Sequence, residues 1–100
     1  MEPVRFEWDP AKAASNLRKH GVSFEDARTL FSSGVDYLEV YDSEHSEDED
    51  RFLAIGLVSR GVVCVMFVER DEDSIRILGA RLATRREREL LERSMRGKKP

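Results

Sequence analysis

A single cysteine, Cys64, leaves the chain no internal disulfide, and a reducing cytoplasm is its expected home. Long apolar runs are missing too. The longest, Val62 to Val68, is seven residues, against the roughly 20 needed to span a bilayer, so no membrane insertion is expected. The opening MEPVRFEWD has neither a basic n-region nor an apolar h-region, and no secretory signal is read there. No Gly-rich phosphate loop, CxxC pair or HExxH is present, and His20 and His45 are the only histidines. These absences remove the common nucleotide, thiol-redox and zinc-hydrolase signatures.

What is present fits one small domain. In 100 residues, 40% are hydrophobic and 37% charged, too apolar for a disordered tail. A single domain is expected over residues 1–96, with 97–100 as a frayed basic tail. The net charge of −3 hides a division: residues 36–50 hold eight acids and no Lys or Arg, whereas 76–100 hold nine bases and three acids. A basic end on a small protein suits an anionic partner, although such a helix is often only a solvated face.

Local pattern gives the elements. Val4 to Trp8 alternates apolar and charged residues as a half-buried strand does. Asp9-Pro10 opens a helix that Gly21 closes, and Ser23 opens a second with Phe24, Ala27, Leu30 and Phe31 on one face. Tyr37 to Tyr41 reads as a strand, followed by an acidic solvent loop at Asp42 to Asp50. Its carboxylates and His45 can in principle hold a hard cation, but the spacing does not match an EF-hand, so no metal or cofactor is expected.

Strands follow at Arg51 to Val58, Val62 to Glu69 and Ile75 to Leu78. The middle one, apolar on both alternating sets, belongs at the centre of a sheet covered on both sides. Thr84 with Glu87 forms a capping box for a last helix, Arg85 to about Met95. The order is β-α-α-β-β-β-β-α, an α+β class with a mainly antiparallel sheet, two N-terminal helices and one C-terminal helix.

Several segments together resemble the BrnT toxin family. These are Phe6 to Pro10, Lys12, Asn16 and Lys19 to Ala27, then Glu49 to Phe52, Ile55-Gly56 and Glu69-Arg70. Ile75 to Ile77, Ala80-Arg81, Ala83-Thr84 and Glu87 complete the ordered set. The resemblance implies a RelE-like fold and a ribonuclease toxin of a bacterial type II toxin–antitoxin system that stops translation. It further implies a ribbon-helix-helix antitoxin that wraps the toxin, with operator DNA reached only through that partner. A homodimer is the expected form of the toxin alone. The chain departs from the family pattern at Val68, at Gly79, and at Leu90-Leu91, where the last helix often carries a tyrosine. That departure keeps open a catalytically weak or inactive antitoxin-binding corepressor of the same fold.

Cutting RNA without metal requires a general base, a general acid and guanidinium groups where charge develops on phosphorus. Arg81 is the first candidate for the phosphate, with Arg51 and Arg70 in support. Strand alternation places Arg81 on the core side with Ile75 and Ile77 unless a bulge at Gly79 resets the register. His20 is the candidate acid or base and Glu69 the alternative base. His20 equally suits the negative end of its own helix, and Glu69, Arg70 and Arg76 equally suit cross-strand ion pairs.

Lys12, about 12 Å from His20 along the helix, is a candidate for a flanking phosphate. Arg76 and Trp8 are further RNA-binding candidates, Trp8 being equally suited to the core. Leu82, Leu90 and Leu91 are either the antitoxin surface or part of the toxin's own core.

Overall fold

Capping chemistry starts and stops the helices where the sequence predicts. In the computed structural model, which describes residues 4–97, helix α1 spans Pro10–His20. The Asp9 carboxylate accepts from the amides of Ala11 and Lys12, and Gly21 closes the helix at φ 69°. Helix α2, Phe24–Ser32, begins with the Ser23 hydroxyl accepting from the Asp26 amide and buries Phe24, Ala27 and Leu30. Helix α3, Arg85–Arg96, carries the full capping box: Thr84 accepts from the Glu87 amide while Glu87 accepts from the Thr84 amide. Of the expected frayed tail, residues 98–100 lie outside the described residues; Gly97 caps α3.

The strands are β1 (Arg5–Glu7), β2 (Leu38–Tyr41), β3 (Phe52–Val58), β4 (Gly61–Asp71) and β5 (Ser74–Leu82). They form one sheet in the order β1-β5-β4-β3-β2, antiparallel except for β1 beside β5. The element order and α+β class are those expected. As its two apolar faces require, β4 lies at the centre. On one face α1 and α2 cover Ala54, Val63, Val65, Phe67, Ile77 and Ala80. There Phe31 meets Phe67 and Tyr37 edge to face, with centroids 5.1 and 5.3 Å apart. On the other face α3 sets Leu91 against Ile55, Cys64 and Ala83, with Leu53, Val62 and Met66 half-buried around them.

Strand β5 runs four residues beyond the predicted Ile75 to Leu78, and its irregularity positions the site. Met66 pairs with Gly79 but Phe67 pairs with Ile77, so Leu78 is an extra residue, a β-bulge. Asn16 of α1 pins this point. Its amide nitrogen donates to the carbonyls of Ala80 (2.7 Å) and Val22 (3.0 Å), and its oxygen accepts from the Ala80 amide. Gly79 leaves room there: a Cβ would stand 2.7 Å from the Met66 methyl. The bulge inverts the alternation, so Ile75, Ile77 and Ala80 all face α1 and α2, while Arg81, paired with Cys64, faces the α3 side. The simple alternation that placed Arg81 with the two isoleucines is thereby corrected.

Candidate active site

Beside the start of α3 the sheet leaves an open hollow of about 630 Å³. Leu53, Met66 and Leu78 give it an apolar floor; Arg51, Arg81 and Glu87 stand on its walls, and the chain from Tyr41 to His45 forms its rim. Both arginines reach it because Leu53, Ile55, Cys64 and Met66, the α3-side residues of β3 and β4, share one face with them.

Arg81 is held in a fork. Its Nη1 and Nη2 donate to the two Glu87 oxygens at 2.7 and 2.9 Å. The same carboxylate accepts from the Thr84 amide, so one side chain caps α3 and orients the arginine. These hydrogen bonds, the Arg81 one foremost, hold the Glu87 pKa down to about 2. The partnership raises that of Arg81, which keeps its charge. Beneath the pair, burial, with the Glu87 charge in second place, pushes the Cys64 thiol up to about 12, an inert core group.

Arg51 is held differently. Its backbone is fully used: the amide donates to Ser46 Oγ (3.0 Å) and the carbonyl accepts from the Asp42 amide (2.9 Å). Its side-chain Nε is buried and has no hydrogen-bond partner. Among the described residues no carboxylate forms an ion pair with it. The half-buried Arg51 lines the hollow, and with no carboxylate paired to it among the described residues its guanidinium is able to pair with an anion there.

The acidic stretch is built rather than loose. Ser46 Oγ donates to the Asp42 carbonyl, Tyr41 donates through its hydroxyl to Asp50, and Arg70 pairs with Glu49 at 3.0 Å. His45 Nδ1 lies 2.9 Å from the Asp42 carboxylate. Asp42, His45 and Glu87 are the hollow's residues that sequence reasoning missed. The acidity of residues 42–50 pointed to solvent, and the only available signal was a histidine three residues after an aspartate. Among the described residues no three His, Cys, Asp or Glu side chains gather as a metal-binding group.

The other candidates are distributed around the molecule. Arg70 shares the face of the hollow but is spent on Glu49 and, at 3.8 Å, Glu7; Arg76 pairs with the same Glu7 at 3.8 Å. Their ion-pair reading is the one realised. Glu69, opposite Ile75 in the register, points to the α1–α2 face, where its charge helps raise the pKa of Tyr37 and Glu39 after burial. It does not join the arginines.

His20 and Lys12 line a separate shallow hollow with Asn16 and Lys19, and Leu78 is common to both hollows. Trp8 packs edge-on to Phe24 at 5.9 Å, as a core residue does. Leu91, 7% exposed, belongs to the chain's own core rather than to a free surface. Leu82 is 48% exposed and Leu90 is half-buried.

The chain compares with known proteins as follows. A comparison with curated protein sequences finds no match. Among solved structures it is similar to the Brucella abortus ribonuclease toxin BrnT. That likeness has 22% identity and a TM-score of 0.59, covering 82% of this chain and 99% of that one, and it speaks for the fold. A family model described as the ribonuclease toxin BrnT of type II toxin–antitoxin systems matches residues 8–87. With most of the sequence inside that match, the chain belongs to the BrnT family of ribonuclease toxins.

Proposed function

We propose that this family member is a metal-independent endoribonuclease that grips the scissile phosphate between Arg51 and Arg81. Cutting RNA in the cytoplasm, it halts translation until an antitoxin covers it. The observation that carries this reading is that Arg51, paired with no carboxylate among the described residues, lines the same hollow as the bidentately held Arg81. A pentacoordinate phosphorus carries developing negative charge, and two guanidiniums lining one hollow stabilise it where it forms. Arg81 is ordered beforehand by Glu87, so little side-chain freedom is lost when a phosphate arrives. Of its five N–H donors, Glu87 takes two. The floor of Leu53, Met66 and Leu78 suits a ribose or base edge, and the half-exposed Tyr41 at the rim offers a stacking face.

His20 and Lys12, beyond Leu78, suit the flanking backbone rather than the scissile linkage. The partner that a type II system implies is an antitoxin. We assign it a ribbon-helix-helix segment that alone contacts operator DNA, and a seat over exposed Leu82 and half-buried Leu90 beside the basic residues of α3; without it the toxin pairs with itself. Expression in bacteria is expected to arrest growth and degrade RNA, and Arg51→Ala to restore growth. Undisturbed growth and intact RNA on expression of the unaltered protein would contradict the enzyme.

Two observations favour a second reading, a catalytically weak or inactive corepressor. Arg81 is already neutralised by Glu87, and Leu90-Leu91 stand where the family often has a tyrosine. That reading expects tight antitoxin binding with no RNA cleavage.

A further inference from the structure

We infer that His45, oriented by Asp42, is the proton-transfer residue of the Arg51–Arg81 hollow. The inference rests on the ribonuclease reading and adds to it the group that moves the proton. Both residues line the same hollow as the two arginines. His45 Nδ1 stands 2.9 Å from Asp42 Oδ2, and the side chains are 62% and 14% exposed. The carboxylate is thus sheltered while the imidazole is open to a ligand.

Asp42 is itself fixed. Its amide donates to the Arg51 carbonyl at 2.9 Å, and its own carbonyl accepts from Ser46 Oγ at 2.6 Å. The imidazole and the guanidinium that receives the phosphate are therefore tied to one short hydrogen-bonded framework. In the tautomer with hydrogen on Nδ1, that hydrogen is donated to Asp42 and the lone pair on Nε2 is free for substrate. His20 has no such carboxylate bond among the described residues and lines the neighbouring hollow.

The charged groups facing His45 come from three directions. Glu44, Glu47, Asp48 and Glu49 lie on its own loop. Arg51 approaches from the start of β3, and Arg81 with its partner Glu87 from β5 and α3. Tyr41 completes the rim.

The step balances as follows. Nε2 takes the proton of the ribose 2′-hydroxyl, whose oxygen forms a bond to phosphorus. The bond from phosphorus to the 5′-oxygen breaks, water gives that oxygen its proton, and the imidazolium returns its own proton to the hydroxide so formed, which restores the base. The products are a 2′,3′-cyclic phosphate and a 5′-hydroxyl. His45 is then the catalytic base and Asp42 a positioning residue.

The test uses the full chain, a short RNA that it cuts, and the same strand with 2′-deoxyribose at the cleaved position as a binding probe. His45→Gln is expected to lower kcat by about 100-fold or more. It should bind the deoxy strand within about twofold of the unaltered protein, and lose the pH dependence that a general base gives the rate. Asp42→Asn, which keeps the histidine, is expected to lower kcat by about 10-fold or more with KM unchanged, through loss of the ring's tautomer and aim. It serves as the second arm should the histidine variant fold poorly. Unchanged kcat and pH profile in both variants, while Arg51→Ala abolishes cleavage, would overturn the role of His45 and leave the ribonuclease standing. Failure of the unaltered protein to cut any RNA would overturn both.

Discussion

At the scale of single residues, the decisive contrast lies between two arginines on one hollow. Arg81 has its carboxylate and Arg51 has none among the described residues, so the first guanidinium is held in place and the second is left uncommitted. Glu87 makes this arrangement sensitive to acid. Its folded pKa, about 2, lies below the ordinary glutamate value of about 4. Its stabilisation is therefore complete above that ordinary value and is lost as pH falls towards 2. Thermal melts of the unaltered protein between pH 7 and 2.5 are expected to show this loss, on the order of 2 kcal/mol. Glu87→Gln is expected to start less stable at pH 7 and to fall less on acidification. Parallel pH curves for the two proteins would contradict the fork.

At the scale of elements, the bulge in β5 decides which side of the sheet receives Arg81. Asn16 spans 64 residues of sequence to satisfy both backbone groups of Ala80. Asn16→Ala leaves that amide and carbonyl without their partner at a part-buried position, an expected cost of about 1–3 kcal/mol. The same variant is expected to lose RNA cleavage by more than its residual stability explains, because Arg81 loses its register. Denaturant unfolding set beside cleavage rates at a temperature where the variant remains folded checks this; full activity in a destabilised variant would contradict the register argument.

This element also shows where sequence legibility ends. Helix starts were readable because Asp9, Ser23 and Thr84 act on amides two or three residues away. The central place of β4 was readable from two apolar faces. The facing of Arg81 was not, since it depends on one unpaired residue and on an asparagine far away in the chain. The loop from Asp42 to Asp50 was legible as acidic but not as folded. Its order comes from Ser46 bonding to backbone groups and from Arg70 reaching Glu49 across 21 positions. Arg70, read from the sequence as a phosphate-supporting residue, pairs with Glu49 of that loop.

At the scale of the whole molecule, the uneven charge of the sequence becomes an arrangement around the hollow. The acidic loop forms its rim on one side, and Arg81 with the start of α3 forms the other. A polyanion approaching this surface is repelled from Glu44, Glu47 and Asp48 and drawn towards the arginine-rich helix, which orients it before contact. Of the side chains singled out for phosphate, the fold brings together Arg51 and Arg81 and assigns Arg70 and Arg76 to ion pairs. Catalysis on this surface requires both guanidiniums to act on one phosphate.

The most direct measurement of that claim is the rate of RNA cleavage by the purified chain in excess EDTA, compared with Arg51→Ala and Arg81→Ala. The account predicts cleavage by the unaltered protein and losses of about 100-fold or more in each variant. Cleavage that vanishes with the chelator, or that survives unchanged without Arg51, would contradict it.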